Sequence, residues 1–173
     1  HIIFSRITTT PNEAEMVSIT NPTSSDINLS NYYLSDEGSS YYNLPSNEDY
    51  WSGSNSNFIV KFPDIDIGPN QTLTIGLHDI ISFNSYYSVN PDLSLQEDML
   101  SVSDASNTIG SSDNILNDNF DCLILFYWDG SEPIIQDVDY FVWGFAQVGI
   151  DKTGVDGYYD DTSASIQNQS ILN

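Results

Sequence analysis

Residues 122–130 have the sequence CLILFYWDG, and this stretch decides the fold that the chain predicts. Residues 122–128 are apolar or aromatic throughout, which is typical of a strand at the centre of a sheet. The Asp129-Gly130 pair that follows is the signal of a two-residue hairpin loop. Residues 134–143 then alternate between the two faces of a second strand. The stretch therefore predicts an antiparallel hairpin in the middle of a β-domain.

In the rest of the chain, apolar and polar residues mostly alternate with a period of two, and sustained helical periodicity is hard to find. Turn residues separate the alternating segments, and the spacing does not suit βαβ units. The segments are residues 2–7, 16–20, 27–34, 41–44, 58–62 and 72–77. An all-β fold follows, an antiparallel β-sandwich that buries the alternating faces between two sheets.

Two regions depart from this pattern. Residues 79–119 are loosely patterned, and we expect a long loop insertion there that holds short strands or a helical turn near residues 95–101. The end of the chain is rich in Asp, Gly and Ser. Because 173 residues are enough for one well-buried core, we predict one sandwich domain at residues 1–148. Residues 149–173 are then a tail that packs on this domain or extends from it.

The charge of the chain excludes several classes of function. The chain has 25 acidic residues against three Lys and Arg, a formal net charge of -22. Nucleic acids and anionic lipid surfaces are bound through Lys and Arg, so we expect neither partner. No apolar run approaches ~18 residues, so we expect no membrane insertion. A role in binding cations, a solvated acidic surface and self-association remain open.

Composition also suggests a compartment. A strand-like segment directly follows His1, which predicts that a signal peptide was removed or that the domain was cut from a longer protein. Scarce Lys, abundant Asn, Ser, Thr and Tyr, and strong acidity favour a secreted or cell-surface protein of a prokaryote. Cys122, the one cysteine of the sequence, cannot form an internal disulfide, and we interpret it as a buried apolar side chain.

Six motifs follow one another in order along residues 1–145. They are residues 2–7 (IIFSRI), 15–22 (EMVSITNP), 27–36 (INLSNYYLSD), 42–45 (YNLP), 67–75 (IGPNQTLTI) and the final hairpin at 123–140. The ordered set resembles the lamin tail domain family, in its branch of secreted and surface proteins of prokaryotes. Asn31 and Asn70 stand where Gly is common in the family, and residues 79–119 and the tail depart from its pattern. The resemblance implies an immunoglobulin-like fold without catalytic residues.

No motif of enzyme chemistry stands out. The sequence lacks a nucleophile elbow, a zinc-protease pair and a Gly-rich phosphate loop. His78 lies beside Asp79 at a strand end, and we interpret it as a structural polar residue. Asp residues are so abundant that paired carboxylates carry little information. We therefore predict that the chain is not an enzyme, with a hydrolase as the least favoured alternative.

Carboxylate clusters offer a metal site. Asp151, Asp156, Asp160 and Asp161 crowd the Gly-containing tail, and oxygen ligands of this kind suit Ca²⁺. None of them matches an EF-hand loop, so a solvated acidic surface is the competing interpretation. The Asp64-x-Asp66 and Asp137-x-Asp139 pairs are also expected to lie on one face of an extended backbone. Calcium is the one cofactor that the sequence suggests.

The start of the chain offers an interface. The apolar residues Ile2, Ile3, Phe4 and Ile7 could pair with the sheet edge of another copy, and edge pairing in one direction builds a filament. We therefore expect a structural or interaction domain that self-associates at the cell surface or binds another surface protein. The alternative is a carbohydrate- or protein-binding accessory module of a larger surface protein. Aromatic pairs such as Tyr32-Tyr33 and Tyr86-Tyr87 would then contact the ligand, although packing over the ends of the sandwich is the favoured interpretation of them.

Overall fold

The computed structural model describes residues 1–51, 57–102, 108–109 and 115–158. These residues form mostly antiparallel sheets, which confirms the all-β sandwich. The strands are β1 (Ile3–Thr8), β2 (Met16–Thr20), β3 (Ile27–Asn28), β4 (Tyr32–Ser35), β5 (Ile59–Lys61), β6 (Asp66–Ile67), β7 (Thr72–Gly76), β8 (Leu93–Ser94), β9 (Leu100–Ser101), β10 (Asp121–Tyr127) and β11 (Gln136–Trp143). An α-helix, α1 (Ile80–Tyr87), and 3₁₀ turns at Asn12–Ala14, Tyr41–Ser46 and Ala146–Val148 complete the elements.

Two sheets face each other across the main core. The first has the order β1-β2-β7-β8, and the second has the order β11-β10-β4-β5-β9. A separate two-stranded ladder joins β3 and β6. Alternate side chains of both sheets meet in one buried cluster that includes Val17, Ile19, Leu73 and Ile75 from the first sheet and Leu34, Val60, Leu123 and Leu125 from the second. Strands β1 and β11 are the edges of the two sheets on the same side of the sandwich.

The second sheet is also covered on its outer face. Tyr33, Ile124 and Phe126 point away from the main core and join a second buried cluster with Tyr41 and Ile150. Tyr41 lies in the 3₁₀ turn Tyr41–Ser46, and Ile150 belongs to the tail. Strand β10 is therefore buried on both faces, which explains why its sequence is apolar or aromatic at every position from Cys122 to Tyr127 instead of at every second one.

Four local predictions are wrong. Residues 27–34 do not form one strand but contain β3 and the start of β4, which belong to different sheets. Residues 41–44 were expected as a strand but lie in a 3₁₀ turn. The hairpin loop after β10 is longer than two residues, because β11 begins only at Gln136, and the Asp129 carboxylate organises it by accepting from Ser131 N and Glu132 N. A register shift in the β10–β11 ladder lies between Asp137 and Asp139, so these two carboxylates reach different neighbours.

The insertion at residues 79–119 carries structure of its own. Asp79 caps α1, since its side chain accepts a hydrogen bond from Ser82 N. Strands β8 and β9 flank a turn in which Asp98 N donates to Ser94 O, as expected near residues 95–101. Across the described residues, no helix has both the length and the apolar character needed to cross a membrane.

Candidate functional site

A groove lies where the sheet edges β1 and β11 approach each other. Phe4 N on β1 donates to Asp139 Oδ2 on β11 at 2.7 Å, which ties the two edges together at one end. The groove beyond this bond has a volume of about 470 Å³. Its walls are largely apolar and come from Phe4, Ile7, Phe141 and Trp143, with Ser5, Arg6, Thr9 and Asp118 at the rim. This is the size of a site that holds a small ligand or a few side chains.

The predicted interface residues divide between the core and this groove. Ile2 is fully buried in the domain's own core, so its side chain is not part of an exposed surface. Ile3, Phe4 and Ile7 are half-buried, and Phe4 and Ile7 line the groove. Arg6 is exposed at the same place, and no salt bridge to it is found within the described ranges. By contrast, Lys152 pairs with Asp137.

Next to Asp151 in the tail, Lys152 forms an ion pair with Asp137 on β11. Lys152 is buried, and its Nζ lies 2.6 Å from Asp137 Oδ2 and 4.5 Å above the ring of Tyr158. The hydroxyl of Tyr41 donates to the other oxygen of Asp137 at 2.7 Å. This arrangement fastens residues 150–158 onto the second sheet.

Of the four predicted calcium ligands, two can be placed. Asp151 accepts a hydrogen bond from Thr153 N at 3.0 Å, and Asp156 is exposed. Asp160 and Asp161 lie outside the described residues. In the part of the chain that the structure describes, no three His, Cys, Asp or Glu side chains are grouped closely enough to form a ready-made metal site.

A second cavity, of about 420 Å³, is acidic. It lies where the loop after β4 meets the start of β10 and the 3₁₀ turn Ala146–Val148. Its carboxylates are Asp36, Glu37 and Asp121, and Asn57, Asn117 and Cys122 also line it. The Cys122 side chain is buried, as the sequence predicts, and burial raises the pKa of its thiol. We call this the acidic cavity.

Asp36 is the unusual residue of the acidic cavity. Only 3% of it is exposed. Its Oδ1 accepts a hydrogen bond from Phe58 N at 2.6 Å, whereas its Oδ2 is buried with no hydrogen-bond partner among the described residues. Burial raises the pKa of this carboxyl well above its ordinary value, and the neighbouring Asp121 raises it further, against the opposing bond from Phe58 N.

Asp121 stands at the beginning of β10 and is better satisfied. Its Oδ2 accepts from Asn117 N at 2.9 Å, and its Oδ1 accepts from Cys122 N at 2.8 Å. Burial nevertheless raises its pKa to about 6, and the charges of Glu15 and Glu37 act in the same direction. The charge of Asp121 therefore disfavours the ionisation of Asp36 in the same cavity.

Glu15 is a buried carboxylate that sequence reasoning did not single out. It is 1% exposed, and its two oxygens accept from Ile115 N, Leu116 N and His78 Nε2, each at 3.0 Å. This bonding links the start of β2 to the end of the insertion and agrees with a structural interpretation of His78. Among the described residues, no hydroxyl or thiol bonds to the His78 ring, so no nucleophile–base pair is formed there.

No protein-family model and no curated protein matches the chain. The resemblance to lamin tail domains therefore stays a prediction.

Proposed function

We propose that the chain is a non-enzymatic structural or interaction domain of a secreted or cell-surface protein, and that it self-associates through the groove between β1 and β11. The observation that carries the proposal is the position of this groove between the edge strands of both sheets. An extended segment that enters it can pair with a strand edge and place apolar side chains against Phe4, Ile7, Phe141 and Trp143.

The opposite side of the sandwich supplies the complementary surface. Strand β9 is the other edge of the second sheet, and its Leu100 is 47% exposed. We assign β9 of one copy to the groove of the next. Because the two surfaces are different, the contact is heterologous and repeats in one direction, so it builds a filament rather than a closed dimer.

Electrostatics sets the conditions for this contact. Each copy has a formal net charge of -22, and this charge opposes association at low salt. Arg6 at the rim of the groove offers a cation to an acidic partner chain. At ~1 M salt the Debye length falls to about 3 Å, which screens the remaining repulsion. Association should therefore strengthen as salt is added.

The test is light scattering of the purified protein from low salt to ~1 M salt. We expect growing assemblies at high salt, and we expect Phe141→Glu and Leu100→Glu each to prevent them by placing a charge in one of the two surfaces. Ile81→Glu, at a position that is 77% exposed on α1, is the matched control and should assemble normally. Circular dichroism checks that each variant is folded.

A mixing experiment tests the pairing itself. Phe141→Glu retains an intact β9 edge and Leu100→Glu retains an intact groove, so an equimolar mixture should stop at heterodimers. A wild-type protein that stays monomeric at every salt concentration overturns the proposal. Normal assembly by both variants overturns the assigned surfaces.

The second candidate is a carbohydrate-binding accessory module. It is favoured by an exposed aromatic pair, Phe120 and Phe145, whose ring centroids lie 5.4 Å apart beside the acidic cavity. Such rings can stack on sugars. Glycan-array binding that is lost in a Phe145→Ser variant supports this candidate, and an array without signal removes it.

A further inference from the structure

We propose that the acidic cavity is a calcium site in which Asp36 and Asp121 bind one ion. The proposal goes beyond the proposed function, because it depends on neither the groove nor β9. It also places calcium away from the tail residues that the sequence suggests.

The first step of the argument is the buried oxygen of Asp36. A carboxylate that leaves water must be paired, hydrogen-bonded or bound to a metal, since an uncompensated buried charge is very costly. Asp36 is 3% exposed, and Oδ2 has no hydrogen-bond partner within the described ranges. Its Oδ1 already accepts from Phe58 N, which holds the carboxylate in place. The orientation of the group is therefore fixed, and Oδ2 is left without a protein donor in the described ranges.

The second step is the concentration of negative charge around this oxygen. Asp121 and Glu37 line the same cavity, and both are close enough to act electrostatically on neighbouring acids. Each Asp121 oxygen accepts a single backbone hydrogen bond, so its second lone pair can bind an ion. Glu37 is turned toward its own loop, because Oε1 accepts from the backbone and the hydroxyl of Ser39. We therefore assign Asp36 and Asp121 as ligands and Glu37 as a nearby charge.

The third step is the choice of ion. Groups of three or more His, Cys, Asp or Glu side chains suited to a metal are not found in the described part of the chain, and a closed zinc site needs four such ligands. Ca²⁺ instead combines a few carboxylates with amide, carbonyl and water oxygens in an adaptable geometry. The cavity of about 420 Å³ has room for an ion with bound waters, and Asn57 and Asn117 line it. Mg²⁺ demands stricter octahedral geometry, so we expect it to bind more weakly.

The fourth step is what the ion would connect. Gly38 packs tightly: a Cβ atom there would lie 3.0 Å from Cys122 Sγ and 3.0 Å from Val148 O. The loop after β4, the start of β10 and residues 148–149 therefore meet at this cavity. An ion on Asp36 and Asp121 would join these segments and hold the tail side of the domain against the second sheet.

The experiment is calcium titration of EDTA-treated protein by isothermal calorimetry in about 0.15 M KCl, where surface charges are screened beyond about 8 Å. We expect one ion per chain in a specific step, which Asp36→Asn and Asp121→Asn each remove. Asp36→Asn keeps an oxygen for Phe58 N, and Asp121→Asn keeps one for either Asn117 N or Cys122 N. Circular dichroism checks that both variants fold. Asp129→Asn is the matched control, since Asp129 is exposed and also accepts backbone hydrogen bonds.

Thermal unfolding gives a second readout. Calcium at 100 times its Kd should raise the Tm of the wild type and of Asp129→Asn by roughly 5–10 °C, and of neither cavity variant. An equal stoichiometry and Tm shift in Asp36→Asn overturn the proposal. So does a calcium step that is lost in Asp151→Asn but kept in Asp36→Asn, which would place the ion at the tail. A Tm of the wild type that does not change with calcium also overturns the proposal, and it would mean that a proton alone neutralises Asp36.

Discussion

Glu15 and Asp36 are both almost completely buried, yet the protein treats them differently. Glu15 is surrounded by donors: two backbone N–H groups and the His78 ring approach its oxygens at 3.0 Å. Asp36 has one backbone donor on Oδ1 and none of the described donors on Oδ2, with two further acids in its cavity. The difference teaches that burial alone does not assign a role to a carboxylate. A fully bonded acid supports structure, whereas an acid with an unused oxygen has capacity for a ligand.

The largest loss of stability should come from removing the Glu15 carboxylate and its three hydrogen bonds. Glu15→Ala removes the acceptor of Ile115 N and Leu116 N and leaves two buried donors unpaired. We expect the free energy of unfolding to fall by about 3–5 kcal/mol, as for other buried charge networks that lose one partner. Urea denaturation measures it. Glu13→Ala, two residues earlier and exposed, is the control; equal losses in the two variants would contradict the comparison.

The second largest effect is the dependence of stability on pH, measured in the presence of EDTA. Asp121 has a folded pKa of about 6, above its unfolded value of about 3.9. The stability that it contributes is therefore complete below pH ~4 and is lost as the pH rises through ~6, by about 3 kcal/mol. Asp36 acts in the same direction, whereas Asp79, Asp118 and Asp129, whose pKa values are lowered, act in the opposite one.

The contribution of Asp121 is isolated by subtraction. Urea unfolding of the wild type and of Asp121→Asn is measured from pH 3.5 to pH 7. This range begins just below the unfolded pKa of Asp121 and ends about one unit above its folded pKa. The difference between the two curves should favour the wild type progressively less as the pH rises. A difference that is flat across this range would show that the Asp121 carboxyl titrates normally.

Asp137 adds a third carboxylate to the comparison of Glu15 and Asp36, because its charge is paired with a cation of the protein itself, Lys152. Lys152→Met retains most of the buried side-chain volume but removes the ammonium from Asp137 and from the tyrosine rings. Because Asp137 remains partly exposed, we expect a moderate loss of about 2 kcal/mol, measured by thermal unfolding. Lys61→Met at a half-buried position is the control. Equal stability of Lys152→Met and the wild type would show that the ion pair between Lys152 and Asp137 contributes nothing to the stability of the domain.

The smallest predicted effect is a gain in stability, whereas the effects above are losses. In EDTA at pH 7, Asp36→Asn keeps an acceptor for Phe58 N and removes a carboxyl whose ionisation burial disfavours, so we expect a gain in stability of about 1 kcal/mol. Replacement of Glu15 by Gln should lower stability under the same conditions. Urea denaturation of both variants in parallel checks this contrast in sign. A destabilised Asp36→Asn would mean that Asp36 is compensated within the domain.

The sequence predicts the sandwich well because its evidence is local. The apolar run of β10 and the alternation of β7 follow from which faces are buried, and the structure confirms both. The bulge between Asp137 and Asp139 could not be predicted, since nothing in an alternating pattern marks one extra residue. The 3₁₀ turn Tyr41–Ser46 was missed because its tyrosines suit a strand equally well.

The sites were harder to predict for a physical reason. Glu15 and Asp36 are two acids among 25, and only their neighbours from distant parts of the chain distinguish them from solvated carboxylates. Asp36 ends the motif at residues 27–36, but its burial depends on Phe58 and on β10, which lie far along the chain. The density of acids along the chain favours the tail, because the sequence does not show that Asp36 and Asp121 come to lie in one cavity.

The most direct measurement is a crystal structure of the protein grown with calcium. The account predicts an ion in the acidic cavity, with Asp36 Oδ2 and an Asp121 oxygen among its ligands at about 2.3–2.6 Å. Calcium bound elsewhere in the crystal, with only water or a protein donor beside Asp36 Oδ2, would contradict it.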